Sequence, residues 1–395
     1  MNYLEEQKRQ TPVIDEVDVF VAGGGFGGAA AALAAARQGK KVLLCQREYI
    51  LGGLGTSGLV TIYLPLDDGR GNQVSFGIAE ELLLLSLHGG SEGKEDPSYW
   101  LSGGSKEERI AHRYEVQYNP WIFATELEQL LKKEGVEILY GTLVCDVVKE
   151  NDKITHVLIE NIDGRSAVKV GSVVDATGDA VVCQAAGEET RLYPHGNVPT
   201  SWYYRVTGGK VKLTQFGPSF RPGKAPDWPH FSGVNARENS EMIIYGRSRM
   251  LEDIWEKRKY ETDMIPVTVP SIQELRMTRR IAGVEEVRFC DGDKHIESSI
   301  GCIGIWYEAG PAYEIPFGSL HGKKVKNLIC AGRCTAADDE AWDLTRVIPT
   351  CAVTGEAAGI AAAMTDDFAA LDVKKLQAKL EEKGVKLHVK DLIEV

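Results

Sequence analysis

The chain has 395 residues, 43% of them hydrophobic and 26% charged, with a formal net charge of -12 at pH 7. A chain of this length holds about two or three packed units and buries a core without disulfide staples. The acidic balance argues against a nucleic-acid partner, because phosphate-backbone binders concentrate Lys and Arg, and it sets aside the tRNA-modifying class.

Residues 1–10 are polar and of mixed charge and lack the apolar core of a secretory leader. Residues 17–22 are an apolar, β-branched run that stops at Gly23, the pattern of a buried strand. Residues 29–38 follow as a helix of strong formers closed by Gly39. Residues 41–45 are a second apolar strand. The three make one βαβ unit of a parallel sheet, which predicts helices on both faces. Residues 120–134 carry Ile122, Phe123, Leu127, Leu130 and Leu131 at helical spacing. Strands are predicted at 136–140 and 143–148, and a hairpin at 153–160 and 166–174 across Asp163 and Gly164. From 190 to about 320 the pattern changes. Aromatics crowd there (Trp202, Tyr203, Tyr204, Trp228, Trp255, Trp306, Tyr307) and prolines punctuate the loops. A short strand at 328–331 and an alanine-rich helix at 349–364, opened by Pro349, then restore the first pattern. An exposed helix at 372–383, with Leu376 and Leu380 on one face, ends at Gly384. The apolar stretches at 29–36, 82–85 and 360–364 fall short of the roughly 18 residues of a membrane span, so no membrane partner is expected and the cytoplasm is the expected location.

Gly23, Gly25 and Gly28 form GxGxxG between a strand and a helix. The first glycine permits a tight turn and the second lets backbone approach a pyrophosphate. The third lets helix and strand pack closely, with the helix N-terminus facing the negative charge. The acidic residue that bonds ribose hydroxyls should close the second strand. Gln46 stands there, an uncharged donor or acceptor, with Glu48 as the alternative two residues on. A second glycine-rich turn, 52–58, follows closely. A simple NAD enzyme has little use for it, whereas a flavin, longer and rigid at one end, needs a further loop beside its ribityl chain and ring.

The helix opened at Pro349 aims free N–H groups and its positive dipole end at nearby negative charge, and Arg346 adds to that, as the N1 and C2-carbonyl end of a reduced flavin requires. Arg276, Arg279 and Arg280 read as a basic run at helical spacing, with Arg279 the inward residue. His195, and Tyr313 or Glu314, are the acid–base candidates. No Ser/His/Asp spacing, metal-ligand cluster or P-loop stands out. The eight cysteines contain no CxxC pair and read mostly as small buried hydrophobes, with a redox pair between Cys330 and Cys334 as the alternative.

Six motifs occur in order: the turn 52–58, DATGD at 175–179, PSIQELRMTRRIAG at 270–283, YEIPFGSL at 313–320, AGRC at 331–334 and RVIPTC at 346–351. This set resembles the broad FAD-dependent oxidoreductase family with a fumarate-reductase-like or glutathione-reductase-like FAD domain, over nearly the whole chain. The resemblance implies FAD, with Gly332 and the turn after it near the flavin. Cofactor contacts are expected at Gly23, Gly25, Phe26, Gly28, Gln46, Arg47, Gly52, Gly53, Thr56, Val144, Thr177, Gly178, Gly332, Arg333, Pro349, Thr350 and Cys351. Arg279, Arg346, His195 and Tyr313 are expected at the chemistry, and no metal.

The expected fold is α/β. A Rossmann-like parallel-sheet FAD-binding domain is assembled discontinuously from 12–88, 119–190 and 321–366. An inserted α+β substrate or cap domain takes 89–118 and 191–320, and a helical tail takes 367–395. The expected function is a dehydrogenase or reductase moving a hydride between flavin N5 and a small polar or anionic organic substrate, with an unassigned electron acceptor. Alternatives are a thiazole-synthase-like dinucleotide binder and a non-catalytic flavin-binding or electron-transfer partner. An electron-transfer subunit of the heterodisulfide-reductase type would need iron–sulfur ligands that the cysteine spacing does not offer.

Overall fold

A computed structural model describes Leu4 and residues 8–89, 97–218 and 227–392, so 90–96 of the expected insertion and 219–226 of the expected cap lie outside the described residues. Strand Val13–Ala22 is buried from Val19 onward. It pairs in parallel with Val42–Gln46 on one side, Val21 beside Leu44, and with Gly164–Asp175 on the other, Val21 beside Val174. Glu137–Tyr140 extends the sheet past Val42–Gln46. Leu328–Cys330, from the far end of the chain, adds in parallel to the second half of Gly164–Asp175, Ile329 beside Val174. The first half of that long strand pairs antiparallel with Lys153–Asn161, which pairs in turn with Leu143–Glu150. The α/β fold with its discontinuous parallel sheet is as expected.

Helices Phe26–Arg37 and Ile348–Met364 lie side by side on one face. Their small residues let the backbones touch: a Cβ on Gly355 would sit 2.3 Å from the Gly27 carbonyl oxygen, and one on Gly359 would sit 2.2 Å from that of Ala31. The alanine-rich stretches are therefore a helix–helix seam. Among the described residues, no helix is long and apolar enough to cross a membrane. Helices lie on both faces, but unequally. The opposite face carries the short helix Val181–Ala185, whose Val182 and Cys183 pack with Phe20, Leu43, Val157, Val173 and Leu328. The antiparallel strands cover the rest, because the chain leaves them by hairpins and spends no crossover helix there.

Strands Ser201–Thr207, Lys210–Phe216 and Ile265–Thr268 form a three-stranded antiparallel cap sheet. The 23-residue helix Ala236–Arg258 packs on it, and Tyr203, Phe216, Met250, Ile254 and Met264 make a separate small core. Other parts of the 191–320 stretch pack in the main core. Strands Ser299–Gly304 and Ala312–Pro316 place Ile300, Ile303 and Ile315 in the main core, as do Tyr114, Val116 and Tyr118 of the 89–118 stretch. Likewise helix Val373–Glu382 is not a free tail, because its Leu376 and Leu380 are fully buried in that core.

One acid sits inside the seam. Glu356 is 3% exposed and accepts the Ile78 N–H at 2.8 Å. Burial pushes its carboxyl up from 4.5 to about 7. A raised folded-state value means that stability is fully present below the unfolded pKa and is lost as pH rises through about 7. The swing is about 3 kcal/mol. Glu356→Gln keeps an acceptor and drops the charge. We expect thermal unfolding of the variant to match wild type near pH 4 and to exceed it by a few degrees at pH 8. A variant less stable than wild type at pH 8 would contradict this reading.

Candidate cofactor and active site

The two glycine-rich loops are stitched together. The Gly52 N–H donates to the Gly24 carbonyl at 2.8 Å, and Gly25 and Gly52 form a parallel bridge. Gly23 has φ of +101°, and a Cβ on it would lie 2.6 Å from the Ala176 oxygen. A Cβ on Gly28 would lie 1.8 Å from the Gly23 oxygen. The first glycine thus makes the turn and the third the helix–strand contact. Gly25 differs: a Cβ there meets nothing within 4 Å, and the residue borders a groove. As N-cap of helix Phe26–Arg37 it offers no side-chain acceptor, so the helix start presents N–H groups suited to an anion.

Gln46, 6% exposed, is held at both ends of its amide. Oε1 accepts the Gly24 N–H at 3.0 Å, and Nε2 donates to the Ile50 carbonyl at 3.2 Å. An amide ties the first loop to the second in this way; a carboxylate has no donor for Ile50. That accounts physically for glutamine where the fingerprint has an acid. Phe26 stacks on Phe123 with centroids 5.0 Å apart, and the Tyr118 hydroxyl donates to the Gly55 carbonyl at 2.7 Å. This aromatic group supports the second loop from beneath.

Asp175 shapes the opposite wall. Its buried carboxylate accepts the Thr177 N–H at 3.1 Å, the Thr177 hydroxyl at 2.7 Å and the Cys183 N–H at 2.9 Å. Arg333 clamps the turn that follows, bonding Asp179 at 2.8 Å, the Gly178 carbonyl at 3.2 Å and the Leu275 carbonyl.

Between these walls runs an open groove of about 870 Å³, solvent at its mouth included. Gly23, Gln46, Arg47, Thr177 and Asp179 also line a second hollow of about 490 Å³ that ends at Thr142, Leu143 and Val144. The two form one long trough. Leu54, Ile348, Cys351 and Arg346 line the groove but not the second hollow. Of the expected contacts, Gly25, Phe26, Gly52, Gly53, Gly178, Gly332 and Arg333 line the groove as well. Gly28, Thr56, Pro349 and Thr350 stand behind its wall. Thr56 bonds the Leu51 and Gly53 carbonyls, and Thr350 the Leu344 carbonyl at 2.9 Å.

Only Arg346 of the four expected catalytic residues lines the groove. Its Nε donates to Asp343 at 2.9 Å. Beside it lies a second buried pair that sequence reasoning passed over, Glu274 and Arg276, 2.6 Å apart and 3% and 7% exposed. Burial pushes the Glu274 carboxyl up, while Arg276 and Arg346 pull it back. Arg279 is a correction. Arg279–Ile281 is a strand paired with Thr190–Leu192, not part of a helix, and Arg279 reaches Gln184 at the edge. Arg280, 4% exposed, lies over the Trp342 ring at 5.3 Å. Glu274 and Arg276 are two apart, which puts them on one face of extended chain; that spacing was the available signal. His195 is exposed and its carbonyl faces His230 Nδ1 at 2.8 Å. Tyr313, 1% exposed, packs against Phe289 in the core with centroids 5.8 Å apart. Neither borders the groove.

The segment 270–274 separates the groove from a cap pocket of about 340 Å³, lined by Pro199, Met242, Ile243, Gly246, Arg247 and Met250 among others. Ile272 and Gln273 border both spaces. None of the eight cysteines is in a disulfide. Cys183, on helix Val181–Ala185, faces the Cys330 thiol at 3.3 Å. Cys334 also lies beside the Cys330 thiol, and it donates to the Asp175 and Ala331 carbonyls.

A family model described as FAD dependent oxidoreductase matches residues 18–283 and 293–380, which include every residue bordering the trough. The chain belongs to this family. Its cofactor is FAD, and the protein is an oxidoreductase. The glycine cradle open at Gly25, the uncapped helix start and the length of the trough all fit that cofactor. No curated protein matches the chain. Solved structures with this fold include a geranylgeranyl bacteriochlorophyll reductase-like protein from Thermoplasma acidophilum, at 14% identity over 93% of this chain and 84% of that one, TM-score 0.50. A 3-ketosteroid-delta4-(5alpha)-dehydrogenase from Rhodococcus jostii RHA1 is 14% identical over 89% and 98%, TM-score 0.44. An L-proline dehydrogenase from P. horikoshii is 13% identical over 95% and 99%, TM-score 0.43. At 14% identity the FAD-dependent oxidoreductase shares with the Thermoplasma acidophilum protein a fold alone.

Proposed function

We propose that this FAD-dependent oxidoreductase oxidises or reduces a small organic substrate held between the ring end of the trough and the cap pocket. Bound FAD supplies the hydride chemistry at its N5. The chain's own residues bind, orient and set charge. The loop from Gly23 to Gly28 and the helix start behind it take the pyrophosphate. Gln46 and Arg47 lie where the ribose passes, and the hollow at Val144 takes the adenine. Leu54, Ile348 and Cys351 border the ring, and Arg346 with the uncapped start of helix Ile348–Met364 sets positive charge at its edge.

The observation that carries this reading is the pair Ile272 and Gln273, which line both the trough and the cap pocket. A ligand in the pocket is thus one chain segment away from the ring. Pro199, Met242, Ile243 and Met250 suit an apolar body. Arg247, and the buried Arg276 beyond Glu274, suit a polar or anionic head. Unsaturated and hydroxy carboxylates meet both demands.

The test is anaerobic mixing of the FAD-loaded protein with a panel of organic acids, alcohols and sugar derivatives. We expect at least one compound to bleach the visible flavin band, or to restore it after reduction with dithionite. A protein that holds FAD tightly, yet is neither bleached nor reoxidised by any member of the panel, contradicts the proposal. Mass spectrometry of the heat-released ligand separates it from a thiazole-synthase-like protein, which retains an NAD-derived molecule instead.

A further inference from the structure

We propose that His295, Glu314 and His388 form a binding site for a divalent transition-metal ion of the zinc type, remote from the FAD trough. Glu314 projects from strand Ala312–Pro316 and is 4% exposed. Its Oε2 faces His388 Nδ1 at 2.9 Å and His295 Nδ1 at 3.6 Å, and the three ligand atoms all lie within 4.8 Å of one another. A tetrahedral ion with bonds of about 2.0–2.2 Å sets its ligands about 3.3 Å apart, so both separations from Glu314 are within a small adjustment of that geometry.

The surroundings are those of a ligand set, held in place from outside. Glu314 accepts the Ile296 N–H at 2.7 Å through Oε2 and the Val389 N–H at 2.9 Å through Oε1. These two backbone donors fix the direction of the carboxylate. His295 Nε2 faces Glu297 Oε2 at 3.4 Å. A proton on Nε2 directed at that carboxylate leaves the Nδ1 lone pair aimed inward, the arrangement by which a carboxylate orients a metal-bound imidazole. Two imidazoles and one carboxylate select a borderline transition ion over magnesium or calcium, which prefer oxygen throughout.

His295 is about half exposed and, with Glu314, borders an open cavity also lined by Asp68, Asp293, Arg70, Lys106 and Lys390, with Asp293 paired to Arg70 at 3.1 Å. The ion therefore has a path in and room for water at its remaining position. His388 comes from the C-terminal segment and Glu314 from the hairpin beneath it, so a bound ion staples one to the other.

The experiment uses untagged, FAD-loaded protein stripped with a chelator and titrated with zinc sulfate. We expect one zinc ion per chain and a higher thermal midpoint in its presence. His295→Ala and His388→Ala should each weaken zinc binding by about tenfold or more while FAD content stays that of wild type. The His295 side chain is exposed enough that its loss leaves the fold intact, which keeps the test decisive if His388→Ala folds poorly. Wild-type protein that takes up no zinc, or a His295→Ala variant that binds it as tightly as wild type, overturns the site.

Discussion

Gly25→Ala leaves the fold intact and weakens FAD binding by about tenfold or more, whereas Gly28→Ala damages fold and binding together. The contrast follows from what each new methyl group meets. At Gly25 it touches no protein atom within 4 Å and projects toward the trough where the pyrophosphate must approach. A loss of about 1.4 kcal/mol in that contact is a tenfold loss of affinity. At Gly28 it lands 1.8 Å from the Gly23 oxygen, a backbone atom that no rotamer change moves. Relieving that overlap costs about 1–3 kcal/mol or more and opens the turn itself. Apo-protein unfolding and FAD titration by flavin fluorescence separate the two effects. Equal FAD affinity of wild type and Gly25→Ala would remove the pyrophosphate from this loop.

Arg276→Met destabilises the protein by about 3 kcal/mol or more, and the loss is greater at pH 8 than at pH 5. The reason is the partner left behind. Glu274 is 3% exposed, and its carboxylate is paired with Arg276 at 2.6 Å. Burial already raises its pKa above 4.5, and Arg276 is the first group that pulls it back. Without Arg276 the folded-state value climbs further, so stability present below the unfolded pKa is lost over a wider range as pH rises. The double variant Glu274→Gln, Arg276→Met should recover most of the loss at pH 8, because no charge is then left unpaired. Urea unfolding of the holoenzyme at the two pH values measures this; a loss independent of pH would contradict the buried-pair account.

The parallel sheet was legible because its central strands are buried on both faces where they pair in parallel and so are apolar there, as in Val19 to Ala22 and Val42 to Cys45. The trough was legible because close backbone approach admits glycine alone at Gly23 and Gly28. Gln46 showed as an exception to the fingerprint, but its reason, a donor needed for Ile50, lies in a loop contact that spacing does not carry. The cap is where reading failed. Helix Ala236–Arg258 buries only Met242, Met250 and Ile254 fully, too few to print a clear stripe in the sequence. A basic run reads the same as helix or as strand, so the choice of Arg279 over Arg276 turned on an element type that only tertiary pairing with Thr190–Leu192 decides. Tyr313 and His195 looked chemical by residue type, yet one is packed in the core and the other faces solvent.

On the function proposed above, substrate reaches the flavin from the cap pocket. Gly246 lines that pocket from helix Ala236–Arg258, and a Cβ there meets only the Pro199 Cβ at an ordinary 3.6 Å. Leucine at this position fills the pocket and improves the helix by up to about 1 kcal/mol, so the variant folds. The measurement is the anaerobic rate at which the best bleaching compound reduces FAD-loaded Gly246→Leu across a range of concentrations. The account expects the half-saturating concentration to rise at least about tenfold, a loss of roughly 1.4 kcal/mol, with FAD affinity unchanged. A variant reduced with the concentration dependence of wild type would place the substrate elsewhere.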